Sequence, residues 1–62
     1  MVSDPVQEWY VIKQPQGFCQ VLSLVAGDPL LSQQKYWGPF PSRAEAIARR
    51  VGLIRAGQCQ PV

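Results

Sequence analysis

Histidine is absent from this chain of 62 residues, and that absence removes imidazole general bases, catalytic triads and His-ligated metal sites. Acids are scarce: Asp4, Glu8, Asp28 and Glu45 are all there are, and they fall in a lead-in, a strand start, a loop and a helix start. No two are spaced for shared acid–base work. Cys19 and Cys59 are too few for a disulfide framework or a four-ligand zinc set. No glycine-rich phosphate loop occurs, and Gly27-Asp28-Pro29 is a turn signal. No window approaches the roughly 18 apolar residues needed to cross a bilayer, and the opening MVSDPVQEWY lacks the basic and apolar regions of a secretion signal. The expectation is a non-catalytic, soluble, cytoplasmic protein with no cofactor and no metal.

The two cysteines leave a choice. Cys19 lies among apolar strand residues as a packed thiol would, and Cys59 has no base beside it, so two reduced thiols is the favoured reading. The alternative is a bridge closing a loop of about 40 residues, which would add roughly 3 to 4 kcal/mol.

What is present fits a small folded domain. Hydrophobic residues at 47% with 16% charged argue against wholesale disorder. A chain this short buries only roughly 60% of its unfolded surface, so one small core is expected. The net charge is +2, and four arginines lie between Arg43 and Arg55 against the single acid Glu45. The positive field therefore belongs to the C-terminal third.

Residues 1 to 7 read as a loose lead-in. EWYVIKQ and FCQVLSLV, separated by Pro15 and Gly17, read as an antiparallel hairpin over residues 8 to 25. In its second strand Phe18, Gln20, Leu22 and Leu24 share one face, and Cys19, Val21, Ser23 and Val25 the other. Neither face is cleanly polar, so Pro29, Leu30 and Leu31 or a partner should cover part of the outer one. AGDPLLSQQ reads as the longest irregular piece, and KYWGPF as a short third strand ending near Pro39.

Ser42-Arg43-Ala44-Glu45 is a capping-box pattern, and Gly57 stands where a C′ glycine belongs, which predicts a helix over about Arg43 to Ala56. Helical periodicity places Ala44, Ile47, Ala48, Val51 and Ile54 on the packed stripe and Arg49 and Leu53 opposite, with Ala46 beside them and Arg43 and Arg50 along the flank. Gly52, facing outward, weakens the helix by roughly 1 kcal/mol against alanine, which suggests that something approaches it closely. The fold class is α+β: a three-stranded antiparallel sheet with one C-terminal helix on one face (β-β-β-α), the domain spanning residues 8 to 57 and a tail residues 58 to 62.

The strand end YWGPFPS has two readings. As a connector, Trp37 completes the strand, Gly38 permits a bend, Pro39 and Pro41 stiffen the exit, and Phe40 folds onto the sheet–helix junction. As a site, Tyr36 and Trp37 join Trp9 and Tyr10 in one exposed aromatic surface.

The aromatic-Gly-Pro-Phe-x-Ser-x-x-Glu-Ala motif of residues 36 to 46, continued by IARRVGLIRAGQCQP, resembles a pattern in small uncharacterised cyanobacterial proteins. The resemblance covers Tyr36 to Pro61, and more weakly the WYVI strand, and implies a fold more than a function. At the level of fold alone, the arrangement is similar to integrase arm-type DNA-binding domains, which implies DNA reading by outward residues of the hairpin.

Two function classes follow. One is an adaptor docking on a larger intracellular assembly through an unidentified protein partner, with Arg49, Arg50, Leu53, Trp37 and Tyr36 as its contacts. The other is a nucleic-acid binder using Arg43, Arg49, Arg50, Arg55, Lys13 and Lys35 on phosphates, with Tyr10 or Trp37 stacking on bases. An exposed second sheet face would also permit a homodimer.

Overall fold

A computed structural model describes residues 7 to 61. Except for Gln7, the lead-in expected over residues 1 to 7 lies outside the described residues, as does Val62. Three strands, β1 (Gln7–Lys13), β2 (Cys19–Val25) and β3 (Tyr36–Phe40), form one sheet in the order β2-β1-β3. A one-turn helix, α1 (Leu30–Gln33), lies between β2 and β3, and α2 (Arg43–Arg55) follows β3. The expected α+β class holds, with an antiparallel sheet and α2 across all of its strands.

β1 is central because it carries the most apolar run, with Tyr10, Val11 and Ile12 at 3%, 0% and 0% exposure. Strand alternation sends Val11 toward α2, where it packs with Cys19, Ala46, Leu53 and Cys59. Trp9, Val21, Trp37, Phe40 and Ile54 close around that cluster. Tyr10 and Ile12 point to the opposite face. Both β2 and β3 are antiparallel to β1, so the chain from Ala26 to Lys35 must cross β1 to reach the far edge. The burial of Tyr10 and Ile12 puts that crossing on the face away from α2, with Leu30 and Leu31 half-buried.

The stretch expected to be irregular thus holds a helical turn. Asp28 starts it by accepting from the Leu30 amide at 2.9 Å. β3 runs through Pro39 to Phe40; the Gly38–Pro39 peptide is cis. Proline, which has no amide hydrogen, is tolerated because β3 is an edge. Gly38 has φ +128°, and a Cβ there would meet the Trp9 carbonyl and the Tyr10 ring at 3.0 Å. Both its backbone angle and its neighbours require glycine.

The ends of α2 follow from the sequence. Ser42 Oγ accepts from the Glu45 amide at 3.3 Å. At the far end Gly57 (φ +80°) donates to the Ile54 carbonyl at 3.1 Å and Gln58 to the Leu53 carbonyl at 2.9 Å. That pair of bonds is a Schellman motif.

The packed face of α2 differs from the expected one. Ala46 and Leu53 are its buried residues, at 0% and 5%, whereas Ala44, Ala48 and Val51 are exposed. The helix is turned by about one residue's 100° from the most apolar orientation. Two long-range constraints account for this. Arg50 donates from Nε to the Cys19 carbonyl at 2.8 Å, which brings a charged residue to the sheet side. Cys59, whose amide also reaches the Leu53 carbonyl at 3.3 Å, is bridged to Cys19, which fixes the C-terminal end of α2 over β2.

The disulfide corrects the favoured expectation of two reduced thiols: Cys19 and Cys59 are bonded and no described cysteine is free. Beyond it, Gln60 donates to the Gly17 carbonyl at 2.9 Å and pairs with Phe18 as a parallel bridge. Residues 58 to 60 are therefore stitched to the sheet.

Candidate functional site

The adaptor contacts expected on one helix face are dispersed. Leu53, expected outward, is a core residue, because the rotation of α2 carries it onto Val11 and the disulfide. Arg50 is half-buried and bonded to the Cys19 carbonyl, whereas Arg49 is exposed. These three residues cannot share a docking surface, and Leu53 is withdrawn from the site.

The aromatic surface divides as well. Trp9 and Trp37 lie half-buried on the α2 side of the sheet, and Tyr10 and Tyr36 on the other. Tyr10 is buried and meets Tyr36, 40% exposed, edge to face at 5.7 Å between ring centres. Burial, with the Glu8 carboxylate and then the Tyr36 hydroxyl nearby, pushes the Tyr10 hydroxyl above its ordinary 10.0. The Lys35 ammonium stands 5.4 Å from the Trp37 ring centre. Four aromatics in two sequence-adjacent pairs read as one patch, but the two-residue period of a strand separates the members of each pair.

The nucleic-acid candidates spread widely. Arg43, Arg49 and Arg55 are exposed along α2, Arg50 is half-buried, and Lys13 and Lys35 stand where β1 and the start of β3 meet, the Lys13 amide donating to the Lys35 carbonyl at 2.9 Å.

A different arrangement brings functional groups together. An open groove of about 400 Å³ runs between the outer edge of β2 and α2, lined by Cys19, Gln20, Val21, Leu22, Arg43, Ile47 and Arg50. Val21 and Ile47 supply apolar contact. Arg43, in the first turn of α2, and Arg50, two turns on, supply positive charge, and no acid lines the groove. The Nε–H of Arg50 donates to the Cys19 carbonyl, which holds its guanidinium against the strand. Arg43 and Arg50 were legible as candidates. The β2 edge and Ile47 were missed, because strand order decides which strand is an edge and no local motif encodes that order.

Compared with known proteins, the chain matches no family model, no curated protein and no solved structure.

Proposed function

We propose that the chain is a small non-catalytic protein-interaction module, an adaptor that docks on a larger assembly through the groove between β2 and α2. One observation carries this reading: an apolar strip, two arginines and a sheet edge whose Val21 and Ser23 have no backbone partner among the described residues converge on one open groove. Arginine is among the residues enriched at protein interfaces, whose buried centres are apolar. Cytoplasmic residence is part of the proposal and carries a condition, since reducing thiol pools oppose disulfides. Burial of Cys19 and Cys59 at 2% and 3% exposure slows attack by those thiols on the folded chain. Among the described residues no helix is long and apolar enough to cross a membrane.

A photoreactive phenylalanine analogue at Ile47, with the same group at exposed Val51 as control, tests the reading in the source cells. The expected result is a protein adduct from position 47 and far less from 51. Nucleic-acid adducts, or equal labelling at both positions, would overturn it.

A second reading draws on the exposed Arg43, Arg49 and Arg55 of α2. As a nucleic-acid binder the chain would show affinity falling steeply with salt. The integrase-like mode has little support, because α2 covers one sheet face and the burial of Tyr10 and Ile12 marks the other as occupied.

A further inference from the structure

We infer that the open edge of β2 takes an extended acidic peptide as a fourth strand, its carboxylates held by Arg43 and Arg50. This rests on the protein-interaction reading and adds the geometry and chemistry of the partner. The phase of the hairpin fixes which backbone groups are open. Gln14 donates to the Phe18 carbonyl at 2.8 Å, so Phe18, Gln20, Leu22 and Leu24 turn their amides and carbonyls toward β1. Cys19, Val21, Ser23 and Val25 turn theirs outward. The Cys19 carbonyl is taken by Arg50, and the Val25 carbonyl by the Asp28 amide at 3.0 Å. Among the described residues nothing takes either backbone group of Val21 or of Ser23, which alternate donor and acceptor at the spacing of a strand.

The chain itself pairs once at the start of this edge, through a single isolated bridge. Gln60 pairs with Phe18 in parallel, and Pro61 then ends the pairing. The rest of the edge continues past that point along the groove. β2, CQVLSLV, has no charge and no proline to discourage pairing, whereas the opposite edge carries Pro39, follows Lys35 and is irregular in register between Trp9 and Val11. The β3 edge is guarded, whereas the β2 edge is capped only at its two ends, at Cys19 and Val25.

Charge and chemistry select the occupant. A peptide backbone offers both donors and acceptors to Val21 and Ser23; a phosphodiester backbone has no N–H to offer. A second copy joined edge to edge would put both α2 helices on the same face and bring Arg43 and Arg50 toward their counterparts. An acidic peptide meets those guanidiniums instead: its carboxylate side chains lie on the α2 side beside Val21 and Ile47, and the alternate ones fall on the other face beside Gln20 and Leu22.

The test is an amide-resolved NMR titration of the full chain with an octapeptide of alternating glutamate and valine. A lysine–valine octapeptide and a short DNA duplex serve as competitors. The acidic peptide should shift the Val21 and Ser23 amides saturably. The lysine peptide, and Arg43→Glu with the acidic one, should each weaken binding by about tenfold or more, and Arg49→Glu by less than about twofold. Unmoved Val21 and Ser23 amides, equal binding of the two octapeptides, or duplex DNA acting at the same amides would overturn the inference. So would a dimeric mass in solution with those amides protected. If the titration fails while position 47 still cross-links to protein, strand addition falls and the interaction reading stands; if both fail, both fall.

Discussion

Leu53 and Arg50 show how little a residue's type alone says about where it sits. Leu53 lies among basic residues in the sequence, yet its side chain fills the space above Val11 and its carbonyl anchors the turn that ends α2. Leu53→Ala should therefore cost about 2 to 5 kcal/mol. Leu53→Asp, which would be harmless on a solvated face, should abolish cooperative unfolding in urea followed by circular dichroism. A folded Leu53→Asp protein would mean that α2 presents a different face to the sheet. Arg50 reaches the sheet because its long apolar stem lies along the core margin while Nε finds a carbonyl. Hydrophobic periodicity scores arginine as outward and cannot anticipate that bond.

At the scale of elements, ends were easier to read than faces. The serine cap, the glutamate at the third helical position and the glycine past the end are local signals, and α2 starts and stops within a residue of where they put it. The face depends on what the rest of the chain brings. The Schellman turn leads directly into Cys59, and the bridge to Cys19 decides how α2 is rolled. β1 and β2 were legible from composition, whereas α1 was not, because a single turn starting at Asp28 and Pro29 has no room for periodicity. Gly52 is a separate case. A Cβ there would meet nothing within 4 Å in the chain. Gly52→Ala should therefore stabilise the isolated protein by about 0.5 to 1 kcal/mol, seen as a higher urea midpoint with unchanged slope. A loss of stability would show that the glycine answers to something in the fold.

The whole molecule is a thin sheet held between a long helix and a short crossover, with a covalent clamp at one end. The bridge closes a sequence separation of 40 residues, so the chain with both Cys19 and Cys59 changed to alanine should lose roughly 3 to 4 kcal/mol of unfolding free energy. For a domain this small that is a large part of the total. Thiol titration of the native protein should find no free cysteine, and two titratable thiols would remove the clamp from the account. The fold class was readable because the order of strand-like and helical segments permits few small architectures. The site was not, because it lies on an edge created when β1, first of the strands in the chain, becomes the middle of the sheet. The adaptor reading and the strand-addition inference both depend on that edge being open in the free protein. Amide hydrogen exchange of the isolated chain tests this most directly. Gln20 and Leu22, bonded to β1, should exchange slowly, and Val21 and Ser23 between and beside them should exchange at close to unprotected rates. Slow exchange at all four would contradict the account, since it would mean that β2 is already covered.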